Sequence, residues 1–124
     1  MEVQIIMSKK DQLQQILDEL KSALPELRSV VVASTDGLPI VHDAPDAPRI
    51  AAMAATALGL GKRISQTTEL GNLEETIVRG NQGHFVVYAA GDKGVLALAA
   101  PADANLGLIH LEAREFASRL AQAL

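Results

Sequence analysis

The period of the hydrophobic positions changes several times along the chain, and each change marks an element. Leu13, Ile16, Leu17, Leu20 and Leu24 recur at helical spacing, with Lys10, Gln14, Asp18 and Lys21 on the polar side. That period predicts an amphipathic helix. Ser8 stands where it can accept from the free first-turn amides, and Asp11 suits the positive end of the helix. Pro25 makes Leu24 the boundary. Val30-Val-Val-Ala33 is an unbroken, mostly β-branched run and reads as a buried strand. Asp36-Gly37 predicts a two-residue hairpin turn with positive φ at both positions. Leu38-Pro-Ile-Val-His42 then returns antiparallel, and Pro39, which has no amide to donate, places that strand at an edge.

The next segment has almost no polar side. Wound as a helix, Arg49 to Ile64 puts Ile50, Met53, Ala54, Ala57, Leu60, Gly61 and Ile64 on one face. The other face holds Ala52, Ala55, Thr56 and Gly59, with no charge until Lys62 and Arg63. A helix that is small or apolar all round is buried on two sides. The large stripe is expected on the chain's own sheet. The small face is expected against a second chain. Asp46 is a candidate cap, and the helix is expected to end near Thr67.

Leu70 to Gly80 alternates and reads as a strand, with Glu74 and Glu75 on opposite faces. His84-Phe-Val-Val-Tyr-Ala89 and Val95-Leu-Ala-Leu-Ala99 follow, separated by glycine turns, and the small second run suits the sheet centre. Asp103 or Asn105 caps a last helix whose buried stripe is Leu106, Ile109, Ala113, Phe116 and Leu120, with a Glu115–Arg119 pair outside. The order is α-β-β-α-β-β-β-α, an α+β fold with an antiparallel sheet covered on both faces. Residues 1–7 are expected to be an N-terminal tail, with Met7 an alternative start, and residues 8–124 a single domain.

Composition narrows the function. The chain has 124 residues, enough for one core without a disulfide or metal staple. It has no cysteine, which excludes thiolate nucleophiles and zinc–cysteine sites and fits a reducing compartment. A net charge of −4 and three aromatic side chains, Phe85, Tyr88 and Phe116, argue against a phosphate-binding or base-stacking surface. Residues 1–7 lack the basic start and long apolar run of a signal peptide. The apolar run from Ile50 to Gly61 falls short of the roughly 18 residues a membrane span requires. A soluble cytoplasmic protein is expected.

No catalytic constellation stands out. His42, His84 and His110 lie in different elements, and no two have ligand spacing, so no metal is expected. Glu74 and Glu75, read as strand neighbours, cannot share a proton. Leu58-Gly-Leu-Gly-Lys-Arg63 lacks the spacing of a phosphate loop and does not follow a strand, so its glycines are read as allowing close packing. Lys62, Arg63 and Arg79 are available to an acidic partner, and Arg49 could act as a finger on a nucleotide phosphate in trans, though nothing in the sequence singles it out. No cofactor is expected, and the chain is read as a non-enzyme.

Taken in order, these segments resemble one family. Val30-Val-Val-Ala-Ser-Thr-Asp-Gly-Leu-Pro-Ile-Val41 resembles the first hairpin of Roadblock-type domains. The alanine-rich helix ending Leu-Gly-Lys-Arg-Ile64, Leu70-Gly71 before the next strand, and Asn105-Leu-Gly-Leu-Ile109 opening a last helix are similar to the same family. It includes the dynein light chain Roadblock and the bacterial and archaeal MglB-like proteins.

The resemblance implies a three-layer α/β/α, profilin-like architecture. Its five-stranded antiparallel sheet has the first and last helices on one face and the middle helix on the other. It also implies a homodimer in which middle helices pack together and third strands pair. In this chain Ala52, Ala55, Thr56, Gly59 and Arg63 would lie near the helix pair, and Thr76, Ile77 and Val78 on the pairing strand. Arg49, Lys62 and Arg63 would be the candidates for contact with a further partner. By the same resemblance, the protein regulates a small Ras-like GTPase. MglB-like members stimulate hydrolysis without a required arginine finger, by reshaping the switch regions. A dimeric scaffold in a motor or signalling complex is the alternative. A PAS-like small-molecule sensor is a third reading, which the alanine- and valine-rich strands disfavour.

Overall fold

The computed structural model describes residues 7–124, so all but the last residue of the expected tail lies outside the described residues. The elements are α1 (Lys9–Ala23), β1 (Ser29–Ser34), β2 (Pro39–His42), α2 (Ala47–Thr67), β3 (Thr76–Gly80), β4 (Gly83–Ala90), β5 (Gly94–Pro101) and α3 (Leu106–Ala123). This is the expected order. The five strands form one sheet in the order β2-β1-β5-β4-β3, every neighbouring pair antiparallel. β5 occupies the centre, as its small residues suggest. β2, with Pro39, is one edge and β3 is the other.

Because strand side chains alternate, β1, β4 and β5 each feed two cores. Val30, Val32, Val86, Tyr88, Leu96 and Leu98 pack with Leu13, Leu17 and Leu20 of α1 and Ile109, Phe116 and Leu120 of α3. Val31, Ala33, Val87, Val95 and Ala97 pack with Ala51, Ala54 and Leu58 of α2. The first and last helices therefore share one face and the middle helix takes the other.

Local chemistry sets the element ends. Ser8 Oγ accepts from the Asp11 amide at 3.1 Å, and Asn105, not Asp103, caps α3 by accepting from the Leu108 amide at 3.1 Å. Asp46 stands at the cap position of α2 but makes no capping bond, and its carboxylate lies 3.5 Å from Arg49 instead.

Three expectations are corrected. The β1–β2 turn is a three-residue loop, with Ser34 N–H donating to Leu38 O at 2.9 Å and Gly37 N–H to Ser34 O at 2.9 Å. Only Gly37 there has positive φ, at 87°, so Asp36 takes ordinary turn geometry and the glycine absorbs the reversal. The strand expected from Leu70 begins at Thr76, after a connector that leaves α2 through left-handed Glu69 and Gly71. Arg119 pairs not with Glu115 but with Glu19 of α1, at 2.6 Å, because it flanks the seam between the two helices.

Candidate functional site

The residues of α2 that reach the sheet are Ala47, Ala51, Ala54, Leu58, Gly61 and Ser65. The expected stripe is thus corrected by about one residue of phase. Of its members only Ala54 and Gly61 are buried, whereas Met53, Leu60 and Ile64 are 53%, 57% and 48% exposed. The reason is clearance. A Cβ at Gly61 would run into Thr76 Oγ1 and come within 3.0 Å of Leu73 Cδ2. At Gly61 the helix lies too close to Thr76 and Leu73 for a larger residue, while one turn earlier Leu58 still fits beneath it.

The exposed large residues form a second line instead. Met53, Ala57, Leu60 and Ile64 follow one another at intervals of four, three and four, the spacing of a helix–helix seam. This line faces outward on the flank nearest β3, whose Ile77 and Val78 are 42% and 56% exposed on a strand paired on one side only. Between helix and strand, Ile50, Met53, Ala57, Val78, Phe85 and Ala99 line an open apolar groove of about 340 Å³.

The other expected interface residues divide. Ala52, Thr56, Gly59 and Arg63 are exposed. Ala55 is half-buried, because the β1–β2 turn presses on this side of the helix. A Cβ at Gly37 would be 3.7 Å from Ala55 Cβ and 3.2 Å from Ala52 Cα. Gly37 is therefore required by contact as well as by φ. Thr76 is also half-buried, its hydroxyl donating to Ala57 O at 3.4 Å. Arg49, Lys62 and Arg63 are exposed, but the helix separates the first from the other two by about 20 Å at 1.5 Å per residue. They do not form one basic site. Lys62 borders a small groove with Gln66, Gly71, Asn72 and Leu73.

A polar cluster lies on the opposite face of the sheet, and the sequence reading missed it. Tyr88 Oη and His110 Nδ1 share a hydrogen bond at 2.5 Å, and His110 Nε2 stands 3.7 Å from Glu75. Arg114 Nη2 donates to Glu74 and Glu75, each at 3.1 Å. With a proton on Nε2 facing Glu75, Nδ1 of His110 is free to accept from the Tyr88 hydroxyl. Burial pushes the Tyr88 phenol well above its usual range, with the Glu75 charge adding to the effect and Arg114 opposing it. The hydrogen bond and charge of Glu75 hold Arg114 still more firmly protonated. Glu74 and Glu75 were expected on opposite faces. They precede the strand, so strand alternation does not govern them, and both reach the same guanidinium. The available signal was His110 and Arg114, one helical turn apart beside the buried Ile109 and Ala113.

Of the other histidines, His42 is exposed. His84 is buried with Nε2 3.3 Å from Ala102 O, and its Nδ1 has no hydrogen-bond partner. Among the described residues no group of three or more His, Asp or Glu side chains is gathered to hold a metal ion. No helix among them is long and apolar enough to cross a membrane.

An antiparallel five-stranded sheet between a helix pair and a single helix defines the profilin-like class. Profilin II of Acanthamoeba castellanii superposes with a TM-score of 0.65 at 12% identity, over 89% of this chain and 97% of that one. The gliding protein MglB of Thermus thermophilus superposes with a TM-score of 0.80 at 18% identity, over 96% of this chain and 93% of that one. At those identities the likeness is one of fold. The family model of the Roadblock/LC7 domain matches residues 13–100. An uncharacterised protein of Methanocaldococcus jannaschii is 32% identical over 97 residues, 76% of this chain and 84% of the relative. The chain belongs to the Roadblock/LC7 domain family.

Proposed function

We propose that this chain acts as a non-enzymatic homodimer in the cytoplasm, whose paired surface binds and regulates a small Ras-like GTPase. The observation that carries the dimer is the outward line Met53, Ala57, Leu60 and Ile64 beside the free edge of β3. A two-fold axis there would let two such helices interlock and two β3 strands pair, closing an exposed apolar surface and an open strand edge together. Ala52, Thr56, Gly59, Arg63, Ile77 and Val78 would border or join that contact. Ala55 and Thr76 would support it from beneath. Membership of the Roadblock/LC7 family and the fold shared with MglB support the GTPase as partner. Lys62 and Arg63, at one end of the helix pair, and Arg49, at the other, would contact it separately.

Sedimentation tests the first half. The chain is expected to be a dimer at micromolar concentration, and Leu60→Arg to make it a folded monomer, since Leu60 is 57% exposed in the single chain. Ala55→Arg is a poorer test, because the new side chain would meet the Gly37 turn. Mixing the wild-type chain with the cognate GTPase in both nucleotide states tests the second half. State-dependent binding with altered hydrolysis or exchange is the expected result. Binding with both rates unchanged would make the protein a scaffold, and failure to bind either state would remove the GTPase.

A further inference from the structure

The connector from α2 to β3 has little backbone support of its own. α2 closes with Glu69 N–H donating to Gln66 O at 3.3 Å and Leu70 N–H to Ser65 O at 2.8 Å. This is a Schellman-type ending in which Glu69, at φ 58°, takes the place usually given to glycine. Leu70, which in such endings packs back on its helix, is 71% exposed, and strand pairing does not begin until Thr76.

Side chains fasten the connector instead. Leu73 lies against Gly61 on the α2 side. On the other side Glu75, immediately before β3, is 17% exposed and faces both Arg114 and His110. His110 in turn is held by Tyr88, which is 2% exposed in the main core. The backbones of α3 and β3 are not close neighbours. The grip of α3 on that edge runs through these side chains.

We propose that Tyr88, His110, Arg114 and Glu75 form a latch that fixes where β3 lies, so that α3 sets the geometry of the pairing edge. This rests on the dimer reading above only for its effect on association. β3 has five residues and one paired neighbour, so it belongs to the part of the sheet that opens at lowest cost. Releasing Glu75 leaves the strand's first residue, Thr76, held only by its pairing with Val87 and its bond to Ala57 O. The fraction of chains with a pairing-competent edge falls, and the apparent affinity for a second chain falls with it. His110 and Arg114 are positioning residues, since neither lies on the edge.

Amide hydrogen exchange and sedimentation on Glu75→Gln and Arg114→Gln test the latch, with Glu74→Gln as control. Both variants are expected to speed exchange over residues 76–80 by about tenfold, the scale of one charge-assisted hydrogen bond. Exchange in β5 and the buried turns of α3 should stay as in the wild type. The dimer dissociation constant should rise by a similar factor. Arg114→Lys should recover part of both effects, and Glu74→Gln should change little, because Glu74 is 75% exposed. Unchanged exchange at 76–80, or an equal rise across β5 and α3, would overturn the latch. A local rise without weaker dimerisation would overturn its link to pairing. A monomeric wild type would remove the dimer reading alone, leaving the exchange result to decide the latch.

Discussion

Gly59 and Gly61 lie two residues apart in α2, and the same substitution is predicted to have opposite signs at the two. At Gly59 an added Cβ meets nothing within 4 Å. Alanine there brings only the helix-propensity gain, about 0.8–1 kcal/mol. At Gly61 the same methyl would strike Thr76 Oγ1 and lie 3.0 and 3.3 Å from the two Leu73 methyls. Thr76 is β-branched and stiff, and moving it breaks its bond to Ala57 O. Overpacking of this kind costs about 1–3 kcal/mol, which outweighs the propensity gain and leaves a net loss of about 1 kcal/mol. The two variants should therefore differ by about 2 kcal/mol in unfolding free energy, read as opposite shifts of the urea midpoint at unchanged slope. The measurement belongs at the lowest workable concentration, so that association does not add to stability. Shifts of the same sign would refute the reasoning. A loss at Gly59 in particular would mean that its outer face is already closed by another chain.

Two further predictions concern the connector and the core. Glu69→Gly relieves a left-handed non-glycine residue that costs about 1 kcal/mol and loses part of that to unfolded-chain entropy, so a gain of about 0.5 kcal/mol is expected in urea melts. A loss would mean that the Glu69 side chain makes a contact outweighing its backbone strain. The ionisation of Tyr88 is raised in the fold, so its contribution is fully present below the unfolded phenol's value of about 10 and is lost as pH rises above it. Stability should fall on that alkaline limb, with up to about 1.4 kcal/mol per pH unit from this group, and fall less steeply in Tyr88→Phe. Equal limbs in the two proteins would refute the effect of burial.

The element order, the central β5 and the edge β2 were readable because each rests on a local signal: period, turn residue or proline. The face of α2 was harder. Hydrophobicity ranks Met53, Leu60 and Ile64 above Ala47, Ala51 and Ser65, so size drew the stripe about one residue out of phase. Clearance decided the matter, and clearance depends on Leu73 and Thr76 lying close under Gly61, which no helical wheel contains. The Tyr88–His110–Glu75–Arg114 cluster failed for a related reason. Its members come from three parts of the chain, and reading residues 70–75 as strand turned Glu74 and Glu75 apart. The α3 stripe was read from spacing at Ile109, Ala113, Phe116 and Leu120, which are buried, though Ala117 was missed and Leu106 is only half-buried.

The central position of β5 has a consequence for how the chain comes into being. β1 pairs with β2 in a local hairpin and β3 pairs with β4 in another, but the two hairpins do not touch; Ser29 must wait for Ala99, and His84 for Ala100. During synthesis, at about 5–20 residues per second, the inner edges of β1 and β4 stay open until residues 94–101 have left the ribosome. β5 folds back on β4 through a local turn, but its pairing with β1 is a long-range step, slow by nature. A nascent chain halted before Gly94 would present two apolar open edges, the condition in which strands seek the wrong neighbour.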